Sequence, residues 1–285
     1  MHVEFSYEDY LWLDIQKHLL ELIDAMQFQL PHFIILVGPR GSGKTCLTKY
    51  IADKLEAVYS VTDIKVDAIR EVIDTAYKIR DRVVYHIKDA DTMRAEAKNA
   101  MLKITEEPPK EAYFVMTVQN DASLLDTIKS RALVLYMEPY SRDELKTYFW
   151  QNYNEGGEEV NMITDIAETP YQVNLLVKYG LAFIDYVNLV LDNIGLVEPA
   201  NAFKSGSKLA LKEDDSKYDI LIFLKTFLVL CEKKITEQGQ YENKWADAII
   251  VTNKYIDKLG KLGVSKVQMY DNWVFEIREV LYDNN

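Results

Sequence analysis

An apolar pentapeptide runs straight into a glycine-rich loop, and this junction constrains the fold more than any other feature. Phe33-Ile-Ile-Leu-Val37 is followed by Gly38-Pro-Arg-Gly-Ser-Gly43-Lys44-Thr45. A short continuous apolar run reads as a strand buried on both faces. The loop has the form G-x-x-x-x-G-K-T, and Leu47, Ile51 and Leu55 then recur at helical spacing. Strand, loop and helix in this order make a phosphate cradle. Glycines let the backbone curl so that its N–H groups converge on an anion. The helix N-terminus adds partial positive charge. Lys44 is placed to reach the β- and γ-phosphates of a nucleoside triphosphate, and Thr45 offers its hydroxyl to Mg²⁺. The candidate cofactor-binding residues are Gly38, Pro39, Arg40, Gly41, Ser42, Gly43, Lys44, Thr45 and Cys46.

The first half of the chain continues in the same alternation. Residues 33–37, 57–61, 83–87, 113–118 and 132–136 read as five strands. In 66–79, Val66, Ile69, Val72, Ile73, Ala76 and Ile79 recur at three and four, as a helix requires. Strands alternating with helices argue for a parallel sheet covered on both faces. The pattern then changes. Ser141-Arg-Asp-Glu144 has the form of a capping box. Beyond it lie helical patterns and no convincing strand. Gly180 and Gly195 stand where helices would end, and 197–206, with Pro199, Ser205 and Gly206, reads as a linker. Long helices are expected near 218–236, 243–260 and 266–282. Three parts result: an α/β nucleotide-binding domain over 1–139, a small helical domain over 140–198 and an all-α domain over 199–285.

Composition narrows the function classes. The 285 residues are 48% hydrophobic and 27% charged, enough to form a core. The 45 acidic residues outnumber 33 Lys and Arg, for a net charge of -12. Bulk charge of that sign excludes a free-standing DNA binder, though a local basic patch is compatible with it. Cys46 and Cys231 form neither a CxxC pair nor a disulfide framework, which fits a reducing cytosol. His2, His18, His32 and His86 lack metal-ligand spacing and read as surface or hydrogen-bonded histidines. The N-terminus is acidic and carries no signal-peptide pattern, and the apolar run over 220–231 is interrupted by Lys225, so no membrane contact is expected.

A phosphate cradle that hydrolyses its nucleotide needs an acid for the metal on a neighbouring strand, followed by a base that activates water. Val83-Val-Tyr-His-Ile87 leads into Lys88-Asp89-Ala90-Asp91. If the strand ends at Ile87, Lys88 takes the metal-binding place and Asp89 that of the base. A cation does not hold Mg²⁺, and Asp89 is one methylene shorter than Glu. A register slipped by one puts Asp89 on the metal and leaves Ala90 as the base. Either register is defective for hydrolysis.

These segments resemble clamp-loader AAA+ ATPases, which include the DNA polymerase III gamma/tau and delta-prime subunits and replication factor C. The stretch from Asp89 to Pro109, with Asn99-Ala-Met-Leu-Lys103 and Glu106-Glu-Pro-Pro109, is similar to that family's "NALLK-LEEPP" segment. Residues 64–73 resemble the helix before it, and Leu124-Leu-Asp-Thr-Ile-Lys-Ser-Arg131 the "LL-TI-SR-C" segment, with Ala132 in place of the Cys. The resemblance covers about 16–135 and implies an AAA+ domain with a five-stranded parallel sheet, a helical lid and an all-α collar. It implies ATP with Mg²⁺ as cofactors, Arg131 as a finger acting in trans on a neighbour's ATP site, and Gln119 at the sensor position ending the fourth strand. Asp89 is implied as a degenerate base. Tyr171 falls where active members carry a sensor Arg. The implied partners are other clamp-loader subunits, a sliding clamp, and primer-template DNA within the assembled complex, in the cytoplasm. The pattern fits a delta-prime-like subunit, with a gamma-like motor or another AAA+ factor such as a helicase loader as the alternatives.

Overall fold

The computed structural model describes residues 16–26, 29–153, 157–194, 209–210, 218–238, 243–259 and 266–282. Contacts group the chain into two compact units. The first comprises 1–148 together with 169–171, and the second 149–168 with 172–285. The expected linker over 197–206 and Gly195 lie outside the described residues.

The first unit is a five-stranded parallel sheet flanked by helices. In chain order it runs α1 (Lys17–Met26), β1 (Phe33–Val37), α2 (Lys44–Lys54), β2 (Val58–Thr62), α3 (Val66–Ala76), β3 (Val83–Ile87), α4 (Ala95–Glu106), β4 (Ala112–Val118), α5 (Asp126–Lys129) and β5 (Leu133–Tyr136). The strand order is β2-β3-β4-β1-β5. All four pairings are parallel, and with both faces covered β1 and β4 are buried residue for residue, Thr117 of β4 included. On one face, Phe33, Ile35, Tyr85, Ile87, Phe114 and Met116 pack with Ile69 of α3 and Met101 and Ile104 of α4. The Phe114 ring stacks on Phe33 and Tyr85 at 4.9 and 5.4 Å between centroids. β3 also carries a polar core residue. His86 is fully buried between the Tyr59 hydroxyl (2.7 Å) and Thr117 Oγ1 (3.2 Å), and burial pushes its pKa down to about 3. It is therefore a neutral, hydrogen-bonded core histidine.

The expected strands are all present, with ends shifted by one residue at β2, β4 and β5. The helix expected over 66–79 stops at Ala76, yet Ile79 still packs on the core beyond the helix end. Apolar spacing therefore marks burial here and overruns the helix itself. After the sheet, α6 (Arg142–Asn152) starts at the expected capping box. Ser141 N–H donates to Glu144 Oε2 at 2.7 Å, and Glu144 N–H donates to Ser141 Oγ at 3.2 Å. The boundary between the units falls inside this helix.

The second unit is helical: α7 (Glu158–Ile166), α8 (Pro170–Tyr179, which begins in the first unit), α9 (Leu181–Asn193), α10 (Ile220–Gln238), α11 (Asn243–Leu259) and α12 (Lys266–Tyr282). Gly180, at φ +67°, ends α8 as its position suggested. Two residue pairs, β6 (Leu209–Ala210) and β7 (Tyr218–Asp219), bridge in parallel, a contact too short to leave a strand pattern in the sequence. Trp273 of α12 is fully buried against Phe223 and Phe227 of α10, and its indole N–H donates to Thr252 Oγ1 of α11 at 3.1 Å. The polar edge of the ring is thus satisfied while its faces fill the core. Lys225, which interrupts the apolar run of α10, is buried and ion-paired with Glu168. No single helix among the described residues is long and apolar enough to cross a membrane.

Candidate nucleotide-binding site

The glycine loop leaves the carboxyl end of β1, which lies between β4 and β5 in the sheet. The Gly38 N–H donates to the Val118 carbonyl at 3.1 Å, extending the strand pairing into the loop. Gly41 (φ +85°) and Gly43 (φ +92°) supply the left-handed backbone of the curl, and Gly43 is the N-cap of α2. The N–H groups of Lys44, Thr45 and Cys46 lie in the first turn, where an α-helix has no internal acceptor for them. Cys46 is buried, so its main chain is what it can offer a phosphate. The Tyr140 hydroxyl braces the loop by donating to the Ser42 carbonyl at 3.1 Å.

Lys44 is 8% exposed. Its ammonium donates to the carbonyls of Gly38 (2.5 Å) and Pro39 (2.7 Å). Burial pulls its pKa down to about 8, and the charges of Asp89 and then Asp91 pull it partly back up. The cation is held by weak neutral acceptors, which an incoming triphosphate replaces with charged ones.

Residues 169–171 close over the loop. Thr169 Oγ1 donates to the Arg40 carbonyl at 3.2 Å, and the Arg40 guanidinium lies 5.0 Å from the centre of the Tyr171 ring. A Cβ at Gly41 would stand 2.2 Å from Tyr171 Cβ. Tyr171 is thus an aromatic side chain lying on the loop. Gly41→Ala is expected to destabilise the protein by about 2 kcal/mol or more, from left-handed strain and overpacking together. A thermal midpoint equal to the parent's would show that the loop and Tyr171 separate freely.

β3 ends at Ile87, which sets the register. With the strand ending there, the register is the one in which Lys88 was expected at the metal acid's place and Asp89, here in a left-handed conformation at φ +51°, at the base's. Both are exposed. Sequence reasoning passed over Asp91. Its Oδ2 accepts from the Gln119 N–H at 3.3 Å, and its Oδ1 is buried with no hydrogen-bond partner. The signal was in the alternation Lys88-Asp89-Ala90-Asp91, where Ala90 is buried and Asp91 turns back toward β4. A divalent cation with bound triphosphate suits Thr45 and Asp91, with oxygen donors, and does not suit Lys88. Gln119 itself is exposed at the end of β4, one residue past the carbonyl that holds Gly38.

Arg131 is elsewhere. It precedes β5, whose Leu133 pairs with Ile34 near the start of β1, whereas the glycine loop follows the end of β1. Parallel strands therefore place Arg131 and the loop at opposite ends of the sheet. Its Nη1 donates to the Thr127 carbonyl at 2.9 Å, and its Nη2 lies 3.4 Å from Glu106 Oε1, at the end of α4. The side chain is 40% exposed.

The family described as "DNA polymerase III, delta subunit" matches residues 54–141. The chain is 24% identical over 234 residues to DNA polymerase III subunit gamma of Buchnera aphidicola, covering 68% of this chain and 64% of that one. It is 35% identical over 130 residues to DNA polymerase III subunit delta-prime of Escherichia coli, covering 41% and 39%. These matches span less than two thirds of the relatives' own length. Among solved structures, a variant of Thermotoga maritima RuvB aligns with a TM-score of 0.50 at 18% identity, over 94% of this chain and 85% of that one. That likeness is one of fold.

Proposed function

We propose, for a chain that belongs to the clamp-loader AAA+ ATPase family, the role of a delta-prime-like subunit. It binds ATP with Mg²⁺, turns it over poorly, and presents Arg131 to a neighbouring ATPase subunit during DNA replication. The observation that carries this reading is Lys88, a cation at the end of β3 beside an otherwise complete phosphate loop. Tyr171 on the loop, where an Arg would assist hydrolysis, supports it. Lys44 and the first-turn N–H groups bind the triphosphate, and Mg²⁺ when bound neutralises its charge. Asp89, short and exposed, is a poor base.

The partners under this reading are other clamp-loader subunits, a sliding clamp, and primer-template DNA held by the assembled complex, in the cytoplasm. The three-part division stands as a functional proposal, with the helices beyond 199 as the collar of a hetero-oligomer. A homo-oligomer would pair each finger with a poor site.

The isolated protein is expected to bind ATP and to release phosphate far more slowly than a working ATPase. A steady-state rate of about 1 s⁻¹ or faster without partners, an ordinary enzyme rate, would replace this reading with a gamma-like motor subunit.

A further inference from the structure

Among the described residues near the phosphate loop, Asp91 is an acid with one carboxylate oxygen used in packing and the other left without a partner. It sits in the short turn after β3 and reaches across to β4, where Oδ2 takes the Gln119 N–H at 3.3 Å. The preceding residue, Val118, takes the Gly38 N–H at 3.1 Å. Two hydrogen bonds from adjacent residues of one strand thus connect Asp91 to the first residue of the loop. Lys98 Nζ approaches the Asp91 main-chain carbonyl at 3.5 Å, a contact to the turn's backbone. Oδ1 is buried without a partner. A buried carboxylate oxygen with no donor costs free energy unless something that binds there compensates it.

We propose that Asp91 supplies the acid that Lys88 withholds, holding the Mg²⁺ of bound Mg–ATP through Oδ1, directly or through the ion's hydration water. This rests on the nucleotide-binding reading and deepens it. Mg²⁺ keeps several waters and needs only one or two carboxylates besides the phosphates, so one displaced acid suffices to retain it. The site would then bind Mg–ATP securely without placing a base for hydrolysis, which is what a subunit with a supporting role requires.

The test uses the full-length protein and a fluorescent ATP analogue, titrated in excess EDTA and in Mg²⁺. In the parent, Mg²⁺ is expected to strengthen binding. Asp91→Asn keeps an acceptor for the Gln119 N–H and is close to isosteric, so the turn and the thermal midpoint are retained. It is expected to cut the Mg²⁺-dependent gain by roughly tenfold or more, the range seen when a residue supporting a metal is lost. Affinity in EDTA should stay equal or improve, because an anion near the phosphates has been removed. Asp89→Asn should keep the gain, and Lys88→Asp in the Asp91→Asn background should restore it. An unchanged gain in Asp91→Asn, or a loss confined to Asp89→Asn, overturns the assignment while leaving nucleotide binding intact. If the parent binds no nucleotide in either condition, the nucleotide reading falls, and this assignment with it.

Discussion

Arg131→Ala is expected to leave a reconstituted complex assembled and to lower ATP hydrolysis at the adjoining site by at least tenfold, with about 10³-fold at the lower end of what finger arginines contribute elsewhere. The argument is geometric. Arg131 lies before β5 and the phosphate loop after β1, at opposite ends of a parallel pair, so the guanidinium has no route to its own nucleotide. It is half exposed and held by acceptors that are easily exchanged. The Glu106 contact at 3.4 Å joins two exposed side chains, and such surface pairs contribute little. Phosphate oxygens of a neighbour, out of bulk water, are the stronger acceptors. Arg131→Lys should recover little, because Lys cannot form the planar two-pronged contact. The measurement is steady-state ATPase of the complex with subunit content checked in parallel. Full activity in an intact complex would reduce Arg131 to a surface residue.

Lys44→Ala is expected to weaken binding of ATP to the isolated protein by an order of magnitude or more. The same residue gives the binding a characteristic pH dependence. In the free protein its pKa is lowered from 10.5 to about 8 by burial. Bound triphosphate favours the charged ammonium and raises that value. Below pH 8 the lysine is already protonated and affinity is level. As pH rises through about 8, binding requires uptake of a proton, and affinity falls by up to roughly tenfold per pH unit. The Lys44→Ala protein should lack this fall. The sign for stability is opposite. The folded state holds the proton less tightly than the unfolded state, so the lysine's unfavourable contribution is full below pH 8 and relieved toward 10.5. Parallel pH profiles of parent and variant would show that Lys44 does not meet the phosphates.

Much of this was legible in the chain because it is local. The phosphate loop is a run of residues whose conformational needs are written in their own side chains: glycines where φ must be positive, an apolar strand before, an amphipathic helix after. The capping box at Ser141 and Glu144 is equally local, and both appear where expected. The five parallel strands follow from apolar runs that make sense only when both faces are covered. The family followed from several such segments in order.

Tertiary structure decided what depends on which strands become neighbours. The order β2-β3-β4-β1-β5 brings the turn after β3 beside β4, and so gives Asp91, an ordinary acid in the sequence, one oxygen on the Gln119 N–H and the other buried without a partner. It seats Tyr171, some 130 residues on, against Gly41, so that the glycine is required by contact as well as by φ. It also separates Arg131 from the loop by the length of a strand. Periodicity records that a side chain is buried, as it did for Ile79 beyond the end of its helix. Which partner buries it, and which polar atom is left without one, is fixed only when distant segments pack together.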